Sequence, residues 1–275
     1  MDSIVFDSIG ELGDHVAQLQ LDDKVRFEGE ASTDTYRDYF YGDWSIDEAV
    51  KTAQAGGDWQ EGADAMPSIT IAHEALRGGA VPSPELFDNV QGFAPNVPAF
   101  LAGVPNSMLD IADVVSGNKL LRVAVHVGRA QTVEQAEILN RGAAIMAVLE
   151  QLSREGYSLE VWAIWRNTAN GQTVSVETCI KHGTDFWSPA SVAFALGHAA
   201  FQRRLCWRTA ESMTDGGNRV TGSGYGNGVS AKFDDFDLSY PFVSEGGPYE
   251  TPARAVKNIK KRTIAQLDKL AKANP

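Results

Sequence analysis

Leu120–Val127, LLRVAVHV, is the stretch on which the architecture turns. Apolar side chains alternate along it with the period of two that a half-buried strand requires. From Thr132 to Glu155 the apolar spacing lengthens to that of a helix, and Leu159–Trp165, LEVWAIW, alternates again. Strand, helix, strand in this order predicts a βαβ unit inside a sheet flanked by helices, hence an α/β protein, with α+β as the alternative class. Val174–Lys181, VSVETCIK, predicts a further strand. Ser188 followed by Pro189 is an N-cap with proline at the first helical position, so a helix is expected from there to about Ser212.

Outward from this centre the chain is less regular. Ile4, Val5, Ile9, Leu12, Val16 and Leu19 predict a short helix within Ser3–Leu21 after an irregular start. Ser45 with Glu48 three residues on forms a capping box, and the helix it opens should stop at Gly56-Gly57. Residues 78–117 contain Pro82, Pro84, Pro95, Pro98 and Pro105, which excludes one regular element and predicts a long irregular connection. Residues 216–228 hold six glycines in thirteen positions, so a mobile loop is expected. No period of 20 to 50 residues repeats, which argues against a solenoid. The expected organisation is one globular domain over 1–252 and a basic helix or tail over 253–275.

Charge sharpens that division. The 275 residues carry 24 Lys and Arg against 36 Asp and Glu, a formal net charge of −12. From Ala253 onward there are seven basic residues, Arg254, Lys257, Lys260, Lys261, Arg262, Lys269 and Lys272, against Asp268 alone, leaving 17 basic and 35 acidic residues in the rest. An acidic body excludes a generally basic nucleic-acid binder and leaves room for a local cationic face. Ala255, Ile259, Ile264, Leu267 and Leu270 follow a helical stripe, so the basic residues either bind a partner or coat an ordinary solvated face. A hydrophobic content of 43% suffices for a sizeable core and excludes disorder of the whole. Cys179 and Cys206 have no metal-ligand spacing and no disulfide framework, which suits a reducing cytoplasm. No apolar run reaches the roughly 18 residues of a membrane span, and the N-terminus is acidic, so neither a membrane nor a targeting segment is expected.

Enzymatic motifs are missing. Gly222–Gly228 reads G-x-G-x-G-x-G without a following Lys-Ser or Lys-Thr, the five histidines are scattered, and there is no G-x-S-x-G. No metal, cofactor or catalytic residue is expected. The strand, small-residue turn and helix beginning at Leu121 are similar to the opening of a von Willebrand A-type domain, whose strand ends in D-x-S-x-S to hold Mg²⁺. His126-Val127-Gly128-Arg129-Ala130 stands there instead, with no carboxylate and no serine pair, so that similarity extends to the scaffold alone.

Binding chemistry has more support, because single-stranded nucleic acid is held by aromatic faces beside cations. Thr35–Trp44 packs five aromatic residues and Arg37 into ten positions. If extended, it presents Arg37, Tyr39 and Tyr41 on one face and Phe40 on the other, with Trp44 next along; a core cluster is the competing reading. Phe201–Arg208 brings Arg203, Arg204 and Arg208 together with Trp207 ahead of the glycine-rich loop carrying Arg219 and Tyr225, either as a clamp or as internal partners of Glu211 and Asp215. Lys257, Lys260, Lys261 and Arg262 complete the candidate DNA-binding set.

The segments Tyr41-Gly42-Asp43-Trp44-Ser45 with Glu48-Ala49, Gly92–Gly103 (GFAPNVPAFLAG), Arg141-Gly142-Ala143-Ala144, and Phe194–His198 with Arg203-Arg204 resemble a phage-encoded family, similar in length, acidic balance and basic C-terminus to the single-stranded-DNA-binding RNA polymerase cofactors of N4-like bacterial viruses. The resemblance implies a non-enzymatic protein in the cytoplasm of an infected bacterium. It would bind single-stranded DNA largely without base readout, have a fold other than the OB barrel, recruit the phage RNA polymerase, and act as a homo-oligomer. The alternatives are a small-molecule or nucleotide-binding phage protein that sequesters a host signal, built on the βαβ region, and a purely structural interaction protein.

Overall fold

The protein is an α/β protein, and its computed structural model describes residues 2–19, 44–65, 86–89, 94–95, 97–104, 107–111, 120–130, 133–169, 172–183, 185, 188–213, 233, 235–244 and 246–273. The βαβ unit forms as expected: β5 (Leu120–His126), α5 (Gln135–Arg154) and β6 (Ser158–Ala169), with β5 and β6 parallel and Leu121, Val123 and Val125 opposite Leu159, Val161 and Ala163. Those three pairs share one sheet face, and α5 covers it with Ile145, Val148, Leu149 and Leu152, all buried. β6 then turns back into β7 (Gln172–Lys181) as an antiparallel hairpin.

Two elements differ from expectation at the N-terminus and in the connection. Asp2–Phe6 is a strand, β1, paired parallel to β7, and the helix α1 (Ile9–Gln18) begins only after Ser8 caps it. A start that looked irregular is ordered because an available sheet edge satisfies its backbone. Within the proline-rich connection, β2 (Leu86–Asn89), β3 (Ala94–Pro95) and β4 (Met108–Ile111) make a separate antiparallel sheet in the order β2-β4-β3, with the short helix α4 (Val97–Leu101) between its strands. Among its described residues, the segment thus holds short strands and one short helix.

The helices follow their local signals. α2 (Ile46–Gln54) carries the capping box, with Ser45 Oγ accepting from Glu48 N–H at 3.2 Å and Glu48 returning to Ser45 N–H at 2.7 Å. It stops at Gly56 and Gly57, both at positive φ, ahead of α3 (Gln60–Ala65). The helix opened by Ser188 and Pro189 is interrupted: α6 (Pro189–Gly197) ends at His198, a buried π-helix follows over Phe201–Cys206, and α7 (Trp207–Ser212) completes it. Gln135 stabilises the break, since its amide donates to Gly197 O and accepts from Ala199 N–H at 3.0 Å. α5 and α6 pack so closely at Gly142 that a Cβ there would lie 3.0 Å from the Leu196 backbone.

The main sheet closes with β8 (Leu238–Tyr240), parallel to β5, giving the order β1-β7-β6-β5-β8. Beyond a single 3₁₀ turn (Gly247–Tyr249), the basic segment is the helix α8 (Pro252–Ala273). Its Ala255, Val256 and Ile259 are core residues, whereas Ile264 of the expected stripe is half exposed. Gln266 stands in for a neighbouring strand, accepting from Ser239 N–H at 2.7 Å and donating to Ser239 O at 3.2 Å, so the β8 edge is covered. Tyr240 Oη lies 2.8 Å from Thr263 Oγ1, which donates to Ile259 O, and burial pushes the phenol up to about 12.

Gly56 and Gly57 separate two costs that are usually merged. Gly56 (φ 76°) has open space where a Cβ would stand, whereas at Gly57 (φ 82°) a Cβ would meet Ile9 Cδ1 at 3.0 Å and Ser191 Cα at 3.2 Å. Gly56→Ala should cost about 1–2 kcal/mol from backbone strain alone. Gly57→Ala should cost about 3 kcal/mol or more because overpacking adds to strain, a difference that paired denaturant melts resolve.

Candidate nucleic-acid interface

The docked helix sorts its charges by position. At 100° per residue, Arg254, Lys257, Lys261 and Lys272 fall within about 60° of arc, opposite the buried side, with Lys260 and Lys269 beside them. All of these cations are exposed. Arg254 pairs with Glu250, and Arg262 Nε donates to Ser239 O at 3.2 Å, tethering it to β8. Lys257, Lys260, Lys261, Lys269 and Lys272 make no ion pair or side-chain hydrogen bond among the described residues. Five unspent ammonium groups on a rigid helix are suited to a polyanion, which needs several charges presented together.

The arginine track expected around residues 203–208 is not on the surface. Arg203 and Arg204 are only 3% and 7% exposed, and Arg208 is half-buried. The π-helix is walled by α1, α2 and α6, and its Gln202, Arg203 and Arg204 are buried there. Arg204 Nε donates to Trp44 O at 2.9 Å, and the Arg203 guanidinium lies over the Trp207 ring at 5.5 Å. Trp44 is half-buried and packed against the core. Its ring stacks on Phe194 at 5.6 Å, lies 4.0 Å from the His198 ring and meets Trp59 edge-on at 6.1 Å, the core reading of that aromatic. Arg37, Tyr39, Tyr41, Arg219 and Tyr225 lie outside the described residues. The structure thus groups Lys257, Lys260, Lys261 and Arg262 on one helix, buries Arg203 and Arg204, and leaves Trp44 half-buried against the core.

Two histidines that sequence reasoning left as scattered have defined roles. His126 Nδ1 accepts from Gly128 N–H at 2.9 Å and His198 Nδ1 from Ala200 N–H at 3.0 Å, the same two-residue turn at the end of a strand and of a helix. His126 Nε2 also lies 3.2 Å from Arg166 O, so both of its nitrogens are committed within the fold. Burial lowers both imidazoles to about 3, with Arg129 adding to the effect at His198. The signal that marks them is a histidine two residues before a free main-chain N–H, visible only once the element ends are known. Among the described residues no group of three or more His, Cys, Asp or Glu is placed to hold a metal ion, and no helix is long and apolar enough to cross a membrane.

Because the unfolded chain binds protons at these histidines below about pH 6.5 and the folded chain does not until about pH 3, their contribution to stability is complete above pH 6.5 and is lost as pH falls toward 3. Melts between pH 6.5 and 4.5, above most carboxylate titration, should show stability falling by up to about 1.4 kcal/mol per pH unit per histidine. His126→Asn and His198→Asn, which keep an acceptor for the turn N–H, should each flatten that slope. Arg204→Ala should lower stability by about 2–4 kcal/mol through a cavity and an unpaired carbonyl, with oligonucleotide affinity of the folded protein unchanged.

A family model described as a domain of unknown function, DUF7192, matches residues 2–263, nearly the whole chain. No curated protein and no solved structure matches it.

Proposed function

We propose that this chain, which belongs to the DUF7192 family, is a non-enzymatic protein that binds single-stranded DNA without base readout through the lysine face of α8. The observation that carries the reading is the set of five lysines, unpaired among the described residues, on a helix packed on the core, in a chain whose residues before Ala253 carry 17 basic against 35 acidic side chains. The acidic body repels phosphates and so confines a bound strand to that face. Lys257 and Lys272 are 15 residues apart, about 22 Å along the helix axis, which spans only a few extended nucleotides. A short contact of this kind gives modest affinity. Recruitment of the phage RNA polymerase, as the family resemblance implies, and self-association would then raise local concentration by tethering.

Fluorescence-anisotropy titrations of single- and double-stranded oligonucleotides against salt test the reading. Lys257→Ala, Lys261→Ala and Lys272→Ala should weaken single-strand binding equally for all sequences and reduce the slope of log K against log salt by about 0.7 per lost contact. Their melting temperatures should be unchanged, since none of these side chains packs in the core. Unaltered affinity and slope in the triple variant would assign the lysines to solvation alone.

A further inference from the structure

The main sheet has two ends, and the fold treats them differently. At β8 the side chain of Gln266 takes the place of a further strand on Ser239, so that edge is closed. At the other end β1 pairs with β7 alone, and no described residue hydrogen-bonds to its outer side. A strand with one open side offers main-chain N–H and C=O groups to any extended chain that aligns with it.

Such edges are commonly blunted by proline, lysine or a bulge. β1, Asp2-Ser3-Ile4-Val5-Phe6, has none of these: its register with β7 runs unbroken over five residues, and its one charge stands at the start. Val5 is 52% exposed, on the same sheet face as the exposed Ser3. Ile4 and Phe6 take the core face, where Ile4 is only half-buried.

Self-complementarity decides the occupant. When two copies of β1 run antiparallel about a two-fold axis at Ile4, that residue stands opposite Ile4 of the second copy, Ser3 opposite its Val5, and Asp2 opposite its Phe6. The half-buried isoleucines cover each other on the core face. On the other face the two exposed valines become diagonal neighbours, about 7–8 Å apart. No like charges stand directly opposite each other, and about four to six main-chain hydrogen bonds form.

We propose that the protein is a homodimer in which β1 of each copy pairs antiparallel with β1 of the other, centred on Ile4, joining the two five-stranded sheets into one. This surface involves no residue of α8, so the dimer stands whether or not α8 binds DNA. A five-residue edge buries less than the roughly 1,200 Å² of a standard interface, so the dimer is weak, with Kd on the order of 10 μM. Each copy carries a net charge of −12, so salt screens the repulsion and strengthens the dimer, the opposite of its effect on a lysine face holding a polyanion.

Sedimentation equilibrium of the full chain up to about 100 μM should show a monomer–dimer equilibrium that tightens as salt rises from about 0.05 to 0.5 M. Ser3→Lys/Val5→Lys sets lysine opposite lysine twice and should weaken the dimer about tenfold or more. Ser3→Glu/Val5→Lys sets glutamate opposite lysine twice and should restore it. Both positions are exposed, so circular dichroism and Tm of the two variants should match those of the parent. A readout that needs no variant is amide hydrogen exchange of Asp2–Phe6 in the parent, which should slow as protein concentration rises. The proposal is overturned if the chain is monomeric at about 100 μM, if the folded double-lysine variant dimerises as well as the parent, if the Glu/Lys variant dimerises no better than the double-lysine one, or if exchange in β1 is independent of concentration.

Discussion

Burial of α5 against the sheet is the constraint on which the other packing depends. Its apolar side fills the space above the parallel β5–β6 pair, and its remaining sides receive α6 at Gly142 and α8 along Ala255, Val256 and Ile259. A helix enclosed in this way holds polar groups at a cost that hydrogen bonds offset, as at Arg141. It is 2% exposed, its guanidinium donates to Pro241 O at 3.0 Å and lies against Tyr249, and burial pulls its pKa down. The arginine thereby ties the segment between β8 and α8 to α5, next to where the lysine-bearing helix begins.

The same rule organises the polar interior elsewhere. His126, His198 and Lys181 each sit where a strand or helix ends and main-chain groups would otherwise lack partners, and each satisfies those groups with a side chain. Such placements make the termini of elements rigid, which is what an adjoining surface or cavity requires if it is to be preformed. Neutral histidines at strand and helix ends are also less costly to bury than charged ones.

The chemistry of the α8 surface is a consequence: it shows lysines that make no ion pair among the described residues, on the side of the helix opposite its buried Ala255, Val256 and Ile259.

Much of this was legible in the residues alone. Alternation at Leu120–Val127 and Leu159–Trp165, the capping box at Ser45 and Glu48, the glycine stop and the Ser188-Pro189 start depend on interactions within a few residues, and all appear in the structure where local physics places them. The basic helix was legible for the same reason, and with it the lysines of the candidate interface. Whether Arg203, Arg204 and Trp44 face water or the core was not, because an arginine beside a tryptophan has the same composition in a stacking site and in an interior network. Nor could the strand at Asp2–Phe6 be read, since its pairing partner lies some 170 residues away in β7. Sequence by itself determined the class, the helix starts at Ser45 and Ser188, the stop at Gly56-Gly57 and the sign of each segment's charge, all of which follow from short-range propensity and period. Tertiary structure alone decided which charges are spent, because a buried donor is satisfied by whatever carbonyl the fold brings beside it, and that neighbour is set by packing across the whole chain.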